Sequence, residues 1–250
     1  MIEVRHLKKA FNGQHVLDDV SFSVPRGSTA VIIGGSGAGK SVLLRHINGL
    51  LKPDSGEVFV DGLDITKLPD DETNEFRLRV GMVFQGSALF DSLNVADNVA
   101  FALHEHTDYP EEKTARIVRE KLEMMGLGGI EQKMPDELSG GMRKRVAIAR
   151  AIALEPEVML YDEPTAGLDP ITADVINNLI LKLQQTMRST AIAVTHDMAS
   201  AFKIADRIYL LKRGRFIAQG TPEEIRNDPS KDVQDFITGQ AEESNWVSRR

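Results

Sequence analysis

Apolar and polar residues alternate over Ile2 to Leu7 and again over Val20 to Val24, the period of half-buried strands. Other apolar runs do not alternate. Ala30 to Ile33, Val80 to Phe84, Val158 to Tyr161 and Thr190 to Thr195 are short, continuous and bounded by polar or turn-forming residues, as buried strands are. Helical spacing fills the gaps between them. Leu43, Leu44 and Ile47 continue a helix that ends near Gly49, and a short helix is expected over Asp71 to Arg79. Val95, Val99, Ala102 and Leu103 share one side of an amphipathic helix, and Glu111 to Met125 forms a charged one ended by Gly126. A further helix runs from the Gly140-Gly141 pair through Leu154 until Pro156 stops it, and Ile171 to Met187 carries an apolar stripe.

Turn chemistry joins these segments. Phe11 and Gly13 lie in a turn, Pro25-Arg26-Gly27 in another, and Pro53 to Gly56 in a third, before a strand over Glu57 to Val60. Asp61-Gly62 signals a hairpin, and a second hairpin pairs Ile208–Leu211 with Phe216–Gln219 around Arg213-Gly214. Thr221-Pro222-Glu223-Glu224 has the residues of a capped helix start. Apolar strands separated by helices predict an α/β fold. Its core of mainly parallel strands spans about 1–86 and 152–225, with a small antiparallel sheet on the N-terminal side. A helical lobe of about 87–151 is inserted, so that 1–239 forms one domain. The tail, 240–250, is polar except for Trp246 and reads equally as disordered or as a docking segment.

Composition narrows the chemistry. The 250 residues are 42% hydrophobic, enough for a sizeable core, and carry a net charge of −7, which argues against nucleic acid as a partner. There is no cysteine, so disulfides and thiol chemistry are excluded. No apolar run approaches the roughly 20 residues that span a bilayer, and the N-terminus reads as a strand. A soluble, cytosolic protein is expected, held at any membrane only by a partner.

Three clusters carry candidate chemistry. GGSGAGKS, Gly34 to Ser41, follows an apolar strand and fits the phosphate-binding P-loop in full. Successive N–H groups through Gly35, Ser36, Gly37, Ala38 and Gly39 to Ser41 would wrap phosphates. Lys40 would reach the β- and γ-phosphates, and the Ser41 hydroxyl would bind Mg²⁺. Leu138 to Arg145, LSGGMRKR, opens a helix that Ser139 can cap; Gly140 and Gly141 admit an anion, and Arg143, Lys144 and Arg145 add positive charge. Asp162 and Glu163 end an apolar strand, where carboxylates are costly unless a cation meets them. His104 and His106 fall on different faces of their helix and read as solvated polar residues.

Together with His196 after another strand, these motifs resemble the nucleotide-binding subunits of ATP-binding cassette (ABC) transporters from Ile2 to about Gly239. The resemblance implies a P-loop NTPase (RecA-like) core, ATP and Mg²⁺ as cofactors, and further roles. Phe11 stacks on adenine where the family usually has Tyr. Val42 replaces a second hydroxyl residue common after the P-loop. Gln85 touches Mg²⁺ and the attacking water; Asp162 holds the metal with Ser41; Glu163 readies the water; His196 and Lys40 meet the γ-phosphate. Ser139, Gly140, Gly141 and Asp169 serve the second subunit of a homodimer with two sites. The Met142 variant signature, with GGSGAGKSV and GSALFDSLNVADNVAF, resembles the ATPases of the Mla/Mce systems, which move phospholipids or related lipids between bacterial membranes. That likeness implies a multi-span permease, a lipid-binding protein with an Mce domain, a small STAS-domain subunit, and a place on the cytoplasmic face of the inner membrane. Ala88, Leu89 and Phe90, with Phe101 and Leu103, would form the groove that receives the permease. The rivals are an amino-acid-type importer ATPase and a non-transport ABC ATPase.

Overall fold

A computed structural model describes residues 1–240; Trp246 and the rest of the tail, read equally as disordered or docking, lie outside the described residues. The strands are β1 (Ile2–Phe11), β2 (Gln14–Val24), β3 (Thr29–Ile33), β4 (Ser55–Val60), β5 (Leu63–Asp64), β6 (Val80–Val83), β7 (Val158–Asp162), β8 (Thr190–Thr195), β9 (Arg207–Lys212) and β10 (Arg215–Gly220). The helices are α1 (Lys40–Ile47), α2 (Asp70–Arg77), α3 (Val95–His106), α4 (Glu111–Met124), α5 (Gly140–Ala151), α6 (Pro170–Met187), α7 (Met198–Ile204), α8 (Pro222–Arg226) and α9 (Lys231–Thr238).

Two sheets form. One is antiparallel, in the order β2-β1-β4-β5; the other has the order β10-β9-β3-β8-β7-β6. In the second, all neighbours pair parallel except β10 with β9. Every residue of β3, β7 and β8 is buried, which explains why these strands read as continuous apolar runs. Successive side chains still point to opposite faces. Val31, Ile33, Met159, Tyr161, Ala191 and Ala193 join the core under α3–α7. Ala30, Ile32, Val158, Leu160, Ile192 and Val194 join a second core with α1, α2 and the antiparallel sheet.

The differences from expectation have local causes. β1 and β2 run further than their alternating segments, because Asn12 and Gly13 both adopt positive φ (51° and 80°) and close a tight hairpin that pairs Phe11 with Gln14. Asn-Gly is the residue pair that this turn favours, so Phe11 ends a strand and does not lie in a turn. α5 stops at Ala151 and not at Leu154; the chain turns there through Glu155, whose φ is 53°. On α3, Ala100 rather than Ala102 completes the buried stripe. Helix α9 had no expectation in the sequence.

Helix α1 buries a titratable side chain between the sheets. His46 Nδ1 lies 2.7 Å from the carbonyl of Val42, and Nε2 has no partner. Burial holds the His46 pKa below its ordinary value; Lys9 pushes it the same way, while the Val42 carbonyl and Asp54 oppose. The unfolded chain therefore binds this proton more tightly than the folded one. Stability from His46 is complete above about pH 6.5 and is lost as pH falls through the folded value. His46→Leu should flatten that part of the profile, where one proton accounts for at most about 1.4 kcal/mol per pH unit. Urea unfolding of both proteins between about pH 5 and 7.5, from roughly 1.5 units below the ordinary histidine value to one above it, checks it; parallel profiles would show that other groups govern acid lability.

Candidate functional site

Four neighbouring parallel strands, β3, β8, β7 and β6, end on the same edge of the sheet. β3 leads into Gly34–Gly39, β8 into His196, β7 into Asp162-Glu163 and β6 into Gln85. Adjacent strands lie about 4.8 Å apart, so sheet order alone gathers these groups, at the edge where open α/β sheets bind ligands. A cleft of about 440 Å³ there is lined by Val16, Lys40, Ser41, Gln85, Glu163 and His196, with Gly37 and Gly39 of the loop.

The loop is shaped by its glycines and by Lys40. Gly39 has φ 102°, and a Cβ there would meet the Val16 carbonyl at 2.8 Å, so no other residue fits. The buried Lys40 Nζ donates to the carbonyls of Gly34 (2.7 Å) and Gly35 (3.2 Å) and lies 3.6 Å from Glu163 Oε1. The Ser41 hydroxyl donates to Asp162 Oδ1 at 2.9 Å. Burial pushes the Asp162 carboxyl above its ordinary value, and the neighbouring Glu163 adds to this while Ser41 opposes it. A buried acid with a hydroxyl beside it and too few protein donors for a cage suits a hard divalent cation that takes its other ligands from water and phosphate. Among the described residues no group of three or more His, Cys, Asp or Glu side chains forms such a cage.

Glu163 is held in a defined frame. Its φ is 49°, a left-handed conformation that costs about 1–3 kcal/mol in a residue with a Cβ. Its N–H donates to the carbonyl of Val194 at 2.9 Å. The His196 N–H donates to Glu163 Oε2 at 3.3 Å, and His196 Nδ1 lies 2.9 Å from the same oxygen. The carboxylate thus stands between the Lys40 ammonium and the His196 ring, at the mouth of the P-loop.

Other expected residues lie apart. Phe11 is exposed at the end of β1 with the Lys9 ammonium 5.5 Å from its ring centre; it does not line the cleft, though Val16 of the same hairpin does. Val42, by contrast, does line the cleft while packing half-buried against the second core. Ser139 caps α5, accepting from the N–H of Met142 at 3.3 Å, and neither it nor Gly140 nor Gly141 lines the cleft. Asp169 caps α6, accepting from the N–H groups of Ile171 and Thr172 at 3.0 Å each, and the Thr172 hydroxyl holds its pKa below the ordinary value. Leu103 is 1% exposed, inside the core under α3, so it lines no surface groove. Leu89 packs partly against the same core.

Lys144 is expected from the sequence only as one of three charges at the start of α5, and its place inside the protein was missed. It is buried, and its Nζ donates to the carbonyls of Gln85 and Glu163. The signal was available, since Lys144, Ile148 and Ala151 share helical spacing and the first two are buried.

The motifs match known proteins over most of the chain. The family model described as "ABC transporter" matches residues 17–166. The chain is similar to the "Intermembrane phospholipid transport system ATP-binding protein MlaF" of Haemophilus influenzae, at 42% identity over 97% of this chain and 92% of that protein. It is similar to the "Probable ribonucleotide transport ATP-binding protein mkl" of Mycobacterium leprae, at 40% identity over 95% of this chain and 69% of the relative. Among solved structures it resembles the dimeric post-hydrolysis state of the ATP-binding cassette MJ0796 bound to ADP and Pi. The TM-score is 0.83 and the identity 33%, over 89% of this chain and 99% of that one. With the P-loop, the paired acids and the signature helix arranged on one fold, the chain belongs to the ABC transporter family, as an ATP-binding cassette.

Proposed function

We propose that this chain hydrolyses ATP in a homodimer and couples the reaction to the movement of phospholipids or related lipids between bacterial membranes. The observation that carries the ATPase reading is the Glu163 carboxylate held between Lys40 and His196 at the mouth of the P-loop. The loop N–H groups wrap the phosphates, and Lys40 exchanges its contacts with Gly34 and Gly35 for the β- and γ-phosphates. Mg²⁺, when bound at Ser41 and Asp162 with Gln85 close by, supplies charge neutralisation on the phosphate oxygens. Glu163 orients and deprotonates water, and His196 stabilises charge on the γ-phosphate. Phe11 stacks on the base. Ser139, Gly140 and Gly141 complete the phosphate contacts of the partner cassette, and Asp169 faces that partner, because an isologous dimer brings each signature to the other P-loop. Residues 1–239 act as one ATPase unit, with 87–151 as the lobe that moves.

The lipid reading rests on the high identity to the phospholipid-transport relative over nearly the full chain. A multi-span permease, as the likeness to transporter cassettes implies, holds the chain at the membrane; among the described residues no helix is long and apolar enough to cross it. An Mce-domain lipid-binding protein and a STAS-domain subunit complete the assembly on the cytoplasmic face of the inner membrane. The mycobacterial relative favours a second reading, transport of a polar solute. Purification of the complex from native membranes, with mass spectrometry of the bound small molecules, separates the two. Bound phospholipid supports the first; a bound nucleotide-like or amino-acid solute, with ATPase activity that the same solute stimulates, overturns it.

The permease should dock on aromatic rings. Phe90 and Phe101 are 42% and 40% exposed, with ring centres 4.6 Å apart. An apolar face of a permease helix fits such a pair. Phe90→Ser with Phe101→Ser should leave melting and ATP binding intact and lose the permease from pull-downs, at about 2 kcal/mol or more per anchor. A double variant that still retains the permease would move the docking site elsewhere.

A further inference from the structure

The signature helix buries one of its three consecutive cations. Lys144 is 4% exposed, whereas Arg143 is exposed and Arg145 half-buried. Long charged side chains are almost never fully buried without a partner. Here the hydrogen-bond acceptors are main-chain oxygens: Lys144 Nζ donates to the carbonyl of Gln85, and to that of Glu163 at 3.2 Å. Desolvation lowers the pKa of this ammonium, and only the nearby Asp162 and Glu163 oppose it. An apolar side chain would fill the place without that penalty, so the two carbonyls are what the ammonium is there to hold.

Those carbonyls sit at the ends of adjacent strands, β6 and β7. Glu163 gains most from the contact. Its backbone is left-handed, with its N–H tied to β8 through Val194 and its carbonyl tied to α5 through Lys144. Arg150, further along α5, provides a contrast. It donates to the carbonyls of Ser87 (2.8 Å) and Ala88 (2.7 Å) and so grips the loop after Gln85 without touching Glu163. Among these contacts, α5 reaches the Glu163 backbone through Lys144 alone.

We propose that Lys144 is a positioning residue for hydrolysis: its ammonium ties the backbones of Gln85 and Glu163 to the helix that Ser139-Gly140-Gly141 opens, and so keeps the Glu163 carboxylate in register with the signature. The inference rests on the reading of Glu163 as the base. A displacement of α5 on meeting a phosphate then reaches Glu163 through one side chain. No contact between Lys144 and nucleotide is required.

The test is a double-mutant cycle on the full chain, with phosphate release measured at saturating Mg-ATP and over long incubations for slow variants. Lys144→Met keeps the stem and removes the donors. It should lower kcat about 10–100-fold, with KM and the melting temperature near those of the parent, a split that marks loss of an interaction made only in the transition state. Lys144→Gln restores two N–H donors on a shorter stem and should recover most of the rate, to within about 3–10-fold of the parent. In a Glu163→Gln background both substitutions should cost no further rate. If Lys144→Met does not fold, Lys144→Gln decides: a deficit that disappears in the Glu163→Gln background supports the proposal. An unchanged kcat in the Met variant, or in the Gln variant where only that one folds, overturns it, as does the same loss repeated in the Glu163→Gln background. A loss that tracks lowered melting and is not recovered by Gln shows a fold role and overturns it too. Near-normal turnover of Glu163→Gln alone is a different failure, that of the base assignment itself.

Discussion

Glu163→Gln will bind ATP and turn it over about 10²–10⁴-fold more slowly than the parent. The substitution keeps the volume of a 7% exposed side chain, so the core around β7 has no reason to rearrange. It changes only what the group can do with a proton. The carboxylate has one oxygen toward Lys40 Nζ at 3.6 Å and the other toward His196 Nδ1 at 2.9 Å, and an amide at the same place cannot accept the proton of an attacking water. Nucleotide binding should survive because the P-loop, Lys40 and Ser41 are untouched. With hydrolysis blocked, the ATP-held dimer has no route to discharge and should accumulate. Size-exclusion chromatography with Mg-ATP, beside a phosphate-release assay, reads both effects. Turnover near that of the parent would remove Glu163 from the chemistry.

Gly140→Asp will abolish hydrolysis, by about 10²–10³-fold or more, while the monomer still binds ATP. On the proposed trans arrangement a carboxylate at the start of α5 stands where the signature meets the partner's γ-phosphate, and it should repel that anion. The choice between the two signature glycines follows from packing. A Cβ on Gly140 would meet only Leu168 Cδ2, at an ordinary 3.5 Å, whereas one on Gly141 would meet Thr172 Cγ2 at 2.5 Å. A side chain at Gly141 therefore disturbs the contact of α5 with α6 as well as the phosphate, and its phenotype would mix the two. Gly140 is exposed and separates them. Fluorescent-nucleotide titration of the monomer and an ATPase assay on the same preparation give the result. If monomer affinity collapses with activity, the signature serves its own P-loop, and the trans arrangement is wrong.

Most of the site was legible because strand ends in a parallel sheet need no long-range reasoning. An apolar run followed by Gly-rich sequence, by Asp-Glu or by His places each group on the same edge, and the sheet order does the rest. Boundaries were harder. Asn12-Gly13 lengthened two strands past the end of their alternation, since the exposed hairpin has no buried face to impose a pattern. Leu103 was counted in the docking groove although its spacing sets it on the apolar stripe with Val95 and Val99; the lobe closes over it while Phe101, on the other side of α3, stays exposed. Lys144 was hidden by its neighbours. In a run of three cations the composition says surface, and only the register of the apolar residues that follow says otherwise. Helix α9 lies beyond the last motif, where no chemistry directed attention to it.

Ser87 and Ala88 adopt left-handed φ values of 64° and 48° in succession, without a glycine. The Ser87 N–H closes a local turn onto the Phe84 carbonyl at 2.9 Å, but the carbonyls of Ser87 and Ala88 are met from far along the chain. The stabilising donor, Arg150, lies 63 and 62 residues further along the chain. The loop after Gln85 therefore lacks these two hydrogen bonds while the N-terminal half is emerging from the ribosome. At roughly 5–20 residues per second the guanidinium is synthesised about 3–12 s after Ala88. During biosynthesis the segment between the catalytic edge and the helical lobe thus gains its full set of contacts only once the signature helix has been made.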